Sequence, residues 1–88
     1  MDIGEIARAF NMTVAQFAKF VGYSRQALYQ NDIRISHRSK AMLHHLKELN
    51  ARMLQMDQEE AKRRFEERMR AIDEFEKRIL KVGDTDGH

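Results

Sequence analysis

Apolar residues recur at helical spacing in two short segments at the start of the chain. Residues three and four apart lie on one face of an α-helix. The positions that meet this spacing are Ile3, Ile6, Ala7 and Phe10, then Val14, Phe17, Ala18 and Val21. Asp2 with Glu5, and Thr13 with Gln16, have the spacing of a capping box. The pattern therefore predicts two short helices that begin after Asp2 and after Thr13.

A third helix is predicted after a glycine turn. Gly22 directly follows the second apolar segment, where helices commonly end in a left-handed residue that glycine adopts at little cost. Ser24 can then cap a third helix from Arg25 to about Gln30. Residues 31–35 form a turn and a short extended link, and Ser36 caps the next helix.

Residues 37–82 contain neither proline nor glycine and are rich in strong helix formers. A stripe of apolar positions runs through them, and its members are Leu43, Leu46, Leu49, Met53, Met56, Phe65, Ile72, Phe75 and Ile79. The wholly polar residues 57–60 interrupt the stripe, which does not keep a strict seven-residue repeat. We predict one long helix, or two helices with a slight kink near Asp57, and we disfavour a helical hairpin.

This pattern predicts an all-α fold in which an N-terminal domain of four short helices leads into a long C-terminal helix. The predicted parts are a domain at 1–36, a helical segment at 37–82 and a disordered tail at 83–88. Residues 1–35 are too few to cover the apolar stripe, so we expect a second copy to cover it in a homodimer, through a coiled coil or short helical bundle. The alternative is that the segment folds back on its own domain. We predict that a set of charged residues lies on a solvated face of this segment: Glu66, Glu67, Arg68, Arg70, Glu74, Lys77 and Arg78.

The distribution of charge points to a polyanionic partner for the N-terminal part. Of the 88 residues, 1–56 hold eight Lys and Arg against four acids, whereas 57–88 hold eight against ten. A basic front joined to a mixed-charge helix suits contact with nucleic acid. The chain has no cysteine, no apolar run long enough for a bilayer and no secretory signal, so we expect a soluble cytoplasmic protein.

The twenty residues from Val14 to Ile33, VAQFAKFVGYSRQALYQNDI, carry a family resemblance. Ala18 is small where two helices cross, Gly22 follows four residues later at the turn, and Leu28 is placed to pack a third helix onto the first two. Phe17 and Val21 fill the space between them. This segment resembles the Cro and phage-repressor-like (XRE-type) helix-turn-helix family, and the resemblance covers roughly residues 1–50.

The resemblance implies a DNA-binding role for the third helix, which would enter the major groove. The residues placed to contact base edges are Arg25, Gln26, Tyr29 and Gln30. Those placed to contact phosphates are Thr13, Gln16, Lys19, Ser24, Arg34, Arg38 and Lys40. The alternative is that these side chains form an ordinary solvated face. Tyr23 is expected to pack against the core.

The predicted function is that of a small transcriptional regulator, a repressor of phage or plasmid type, which binds a palindromic operator in double-stranded DNA as a homodimer. One alternative is a packaging or architectural oligomer similar to small terminase subunits, and another is an antitoxin or adaptor that binds a protein. The chain has no glycine-rich phosphate loop and no nucleophile elbow, so we expect a non-enzyme without cofactor or small-molecule substrate. His37 and His44 lack the further ligands that a metal site needs.

Overall fold

The described residues of the chain fold as five α-helices. The computed structural model describes the backbone of residues 1–29 and 37–86 and the side chains of residues 1–29 and 40–78. The helices are α1 (Ile3–Ala9), α2 (Val14–Val21), α3 (Arg25–Tyr29), α4 (His37–Met56) and α5 (Ala61–Asp86). Within the described ranges there is no strand. The all-α prediction is confirmed for this part of the chain, and α5 runs past the expected helix end at Val82.

The first two helices begin at the predicted capping boxes. A carboxylate oxygen of Asp2 accepts from the Glu5 amide at 2.8 Å, and the Asp2 amide donates back to Glu5 Oε1 at 3.2 Å. Thr13 Oγ1 accepts from the Gln16 amide at 3.1 Å, and the Thr13 amide donates to Gln16 Oε1 at 2.9 Å. Each box satisfies amide donors that a helix start otherwise leaves without an intrahelical partner.

The turn between α2 and α3 is built on Gly22 and Ser24, as predicted. Gly22 has a φ of 80° and ends α2 in the left-handed conformation, while its amide donates to the Ala18 carbonyl at 2.8 Å. The Tyr23 amide reaches the same carbonyl at 3.0 Å. Ser24 Oγ accepts from the Ala27 amide at 3.0 Å and so caps α3.

The second half of the chain is a helical hairpin, so the prediction of one long or slightly kinked helix is wrong. A continuous helix over residues 37–82 would be about 70 Å long, whereas the longest dimension of the molecule is 45 Å. The link 57–60 reverses the chain, and α5 packs along α4 and also against α1. Helix α5 therefore lies beside α1, although the two helices are far apart in the sequence.

The core lies where α5 covers the N-terminal helices. Fully buried side chains from all five described helices meet there, among them Ile6, Phe17, Leu28, Leu46, Ile72 and Phe75. The Phe17 and Phe75 rings meet edge to face with centroids 5.3 Å apart, a favoured geometry for aromatic pairs. Burial of such side chains supplies most of the favourable free energy of folding in a chain of this size.

The apolar stripe predicted to bind a second copy is largely covered within the chain. Leu46, Ile72 and Phe75 are fully buried, so the expectation that they lie uncovered is wrong. Of the other members of the stripe, Met56 is 78% exposed. The partly buried members are Leu43, Leu49, Met53 and Phe65. The side chain of Ile79 lies outside the described residues. The expectation failed because it assumed one long or slightly kinked helix, whereas the hairpin turns the two halves of the stripe toward each other and toward α1.

A buried polar network joins α4 to α5. Arg68, which was predicted to be solvated, is only 2% exposed. Its Nε donates to Asn50 Oδ1, and one of its terminal nitrogens lies 2.7 Å from Asp57 Oδ2. Asn50 is fully buried and its side-chain amide donates to the Phe65 carbonyl at 3.2 Å. Every buried polar side-chain atom in the described part of the chain has a partner, which is what burial of polar groups requires.

Candidate nucleic-acid interface

Helix α3 is held to the body of the protein by its one fully buried side chain, Leu28. At 3.6 residues per turn, Arg25, Gln26 and Tyr29 fall within about 100° of one another around the helix, and Leu28 lies outside that arc, about 60° from Arg25. All three are exposed, and Tyr29 is 64% exposed. The structure thus brings together three of the four predicted base-contacting residues on one outer face. The fourth, Gln30, lies outside the described residues.

The prediction that Tyr23 packs against the core is confirmed, because it is partly buried against the core cluster. Tyr23, which precedes α3, and Tyr29, its last residue, therefore differ in surroundings. Tyr23 helps to fix the turn before α3, and Tyr29 is available on its outer face.

Three of the predicted phosphate-contacting side chains are oriented by their capping bonds. Thr13 and Ser24 use their hydroxyl oxygens as acceptors from backbone amides, and Gln16 uses its side-chain carbonyl in the same way. These bonds leave the two hydroxyl hydrogens and the Gln16 NH₂ group as donors. All three residues are exposed. The caps therefore hold hydrogen-bond donors at the starts of α2 and α3, where an anion is also favoured by the exposed amides of a helix start.

The region around α2 and α3 carries positive charge without a counterbalancing acid in sequence. Between Glu5 and Asp32 there is no acidic residue, and the stretch holds Arg8, Lys19 and Arg25. All three cations are exposed. The ion pairs found among the described side chains join other residues. A phosphate approaching this surface therefore meets cations that are not already neutralised by those pairs.

The remaining predicted phosphate contacts belong to the segment after α3. Lys40 is exposed on α4. Arg34 and the side chain of Arg38 lie outside the described residues. Helix α3 packs mainly on α2, and α4 packs mainly on α5.

Two surface features were missed by the sequence analysis. A cleft of about 460 Å³ lies between α1, α3 and α5, where Arg8, Tyr29 and Arg78 contribute to its wall. It exists because α5 returns to α1, which the sequence pattern did not predict. Phe20 is 41% exposed and lines a smaller groove of about 180 Å³ with Leu49. The sequence did carry a signal for this. Helical periodicity places Phe20, near the end of α2, away from the buried face of that helix.

The described part of the chain shows neither a metal-binding cluster nor a membrane-spanning helix. No three acidic or histidine side chains there converge as a metal ion would require. None of the described helices combines the length and apolar character needed to cross a membrane. Comparison of the sequence and fold with protein-family models, curated proteins and solved structures found no match.

Proposed function

We propose that the protein is a small sequence-specific DNA-binding regulator in which α2 and α3 form a helix-turn-helix. The observation that carries this proposal is the outer face of α3, on which Arg25, Gln26 and Tyr29 are exposed together while Leu28 anchors the helix. A helix so presented fits the major groove of B-DNA, where its first residues reach base edges. The chemistry is binding, with no reaction assigned to the chain.

The two leading base contacts follow from side-chain geometry. The Arg25 guanidinium can donate two hydrogen bonds to O6 and N7 of guanine, and the Gln26 amide can pair with N6 and N7 of adenine. Thr13, Gln16 and Ser24 would donate to phosphates and fix the register of α3 in the groove. These contacts set position, whereas the two base contacts set sequence choice.

We further propose that two copies act together on a palindromic operator as a repressor. One module of this size contacts only a few base pairs, and two modules related by a twofold axis add their binding free energies and fix the half-site spacing. The proposed origin of the regulator in a phage or plasmid rests on family resemblance alone.

The first test is selection of bound sequences from a random DNA pool at near-physiological salt. We expect enrichment of a twofold symmetric motif. Uniform binding without enrichment would contradict sequence-specific regulation and favour a packaging or architectural oligomer. Absence of binding would contradict DNA recognition and favour a protein partner for this surface.

The second test compares two arginines that are both exposed, Arg25 on α3 and Arg64 on α5. Replacing Arg25 with alanine should weaken binding to the selected site by about 10- to 100-fold, the value of one bidentate base contact. Arg64→Ala removes the same charge far along the chain and should have a much smaller effect. Lys19→Ala should weaken all sequences alike and reduce the salt slope by about one. Equal losses in the two arginine variants would exclude direct base contact by Arg25.

A further inference from the structure

We propose that two copies of this chain form a dimer by exchanging α5, with the link 57–60 straightening into helix. Of the proposed function, this proposal uses only the dimer. It does not depend on DNA binding. In this dimer each chain gives up the hairpin, and its α4, link and α5 form one continuous helix. Each α5 then occupies, on the other copy, the place that it has on its own chain in the monomer.

The link has the composition of a helix and the geometry of a strained turn. Its four residues are Asp57, Gln58, Glu59 and Glu60, with no glycine or proline among them. Gln and Glu are good helix formers. Glu60, however, has a φ of 52°, in the left-handed region that costs a non-glycine residue free energy. Straightening the link removes this cost and adds a helical turn, so the hairpin carries a penalty that the exchanged form does not.

Helix α5 cannot simply detach from the rest of the chain. Ala71, Ile72 and Phe75 are fully buried against the N-terminal helices and α4, and their exposure to water would remove much of the core. A second copy offers an α5 with the same residues. Exchange therefore keeps the core intact, because the Phe17–Phe75 contact forms between copies instead of within one.

The buried polar network also survives exchange, since its members lie outside residues 58–60. The Asp57 amide still donates to the Met53 carbonyl at 2.9 Å, which is a helical hydrogen bond, so Asp57 already lies on the path of α4. Asn50 and Asp57 are seven residues apart and share one face of that path. Arg68 contacts both, and the equivalent Arg68 of a second copy would be presented to the same pair. Only residues 58–60 need to change conformation.

The test is made on the full chain without DNA, so that failure of the exchange is distinguishable from failure of DNA binding. Molar mass is measured by light scattering after size-exclusion chromatography, from micromolar to millimolar protein. A sample refolded from equal amounts of differently isotope-labelled chains is then examined for NOEs between the Phe17 and Phe75 rings. We expect a dimer with NOEs between chains. A chain that stays monomeric, or a dimer whose Phe17–Phe75 NOEs arise only within one chain, would overturn the proposal.

The link itself is tested with a pair of substitutions at Glu60. Glu60→Gly removes the left-handed penalty from each of two hairpins, so the dissociation constant of the dimer should rise by about a hundredfold, about tenfold for each copy. Glu60→Ala keeps the penalty and improves the continuous helix, so it should lower the dissociation constant a few-fold. Gln58→Gly is the matched control, which should weaken the dimer less because no left-handed residue is relieved. Shifts of the same sign for Glu60→Gly and Glu60→Ala would exclude this link as the hinge.

Discussion

Replacing Asp57 with asparagine removes the negative charge that faces the buried guanidinium of Arg68. The two groups are 2.7 Å apart, and their side chains are 14% and 2% exposed. Removing one partner of a buried ion pair costs about 3–5 kcal/mol, because the other charge remains away from water. The asparagine amide oxygen can still accept from Arg68 as a neutral hydrogen bond worth about 1 kcal/mol. Since Asp57 retains some contact with water, the low end of that cost applies, about 3 kcal/mol. Subtracting the retained hydrogen bond leaves an expected loss of about 2 kcal/mol in the free energy of unfolding.

This loss should appear as a large shift in thermal unfolding. Unfolding entropy is about 2.1 cal/mol/K per residue near 60 °C, so for a chain of this length 2 kcal/mol lowers the Tm by about 11 °C. The assay is thermal unfolding followed by circular dichroism. It is run at one fixed protein concentration, because association makes the Tm depend on concentration.

Glu67→Gln provides the matched control for the same carboxylate-to-amide change. Glu67 lies 3.4 Å from Arg63, and the two side chains are 46% and 61% exposed. An exposed pair of this kind contributes at most about 1 kcal/mol and commonly less, so Glu67→Gln should lower the Tm by no more than a few degrees. Equal shifts for Asp57→Asn and Glu67→Gln would refute the inference that burial of Arg68 makes its partner important.

Three further outcomes are expected. Phe75→Ala should lower the free energy of unfolding by about 3–5 kcal/mol in chemical denaturation, because the ring is fully buried; a loss under 1 kcal/mol would contradict its place in the core. Thr13→Ala should cost about 1 kcal/mol through loss of the capping bond to the Gln16 amide, whereas Thr13→Ser should restore most of it. The Arg63 hydrogen bond and charge hold the pKa of Glu60 below its usual value, so the pair stabilises the fold at neutral pH and this contribution is lost as pH falls through that lowered pKa. An NMR titration should show the Glu60 pKa returning upward in Arg63→Gln, and no change would exclude the contact.

The sequence predicted those parts of the fold that depend on neighbouring residues. Capping at Asp2 and Thr13 is decided by a partner three residues away, and the end of α2 is decided by the freedom of Gly22 to take a positive φ. Leu28 was placed correctly because its spacing from the glycine fixes which side of α3 faces inward. The exposed face of α3 followed from that placement, so most of the described candidate interface could be anticipated.

The hairpin could not be predicted in this way, because local preference opposes it. Residues 57–60 favour helix, and the hairpin exists only because packing elsewhere outweighs that preference. The signal was Arg68, which was predicted to lie on a solvated face but is buried against Asn50 once α4 and α5 meet. The cleft beside Arg8 and the coverage of Phe75 follow from the same long-range contact.

The contact between α1 and α5 also decides when the protein can fold during synthesis. Helix α1 is synthesised before α5, against which it packs. At 5–20 residues per second, synthesis leaves Ile6 and Phe17 without Phe75 for roughly 3–14 s. Folding is therefore completed only after nearly the whole described chain has emerged. A nascent chain that is stalled or cleaved before α5 has its apolar α1 and α2 faces open to chaperones and proteases.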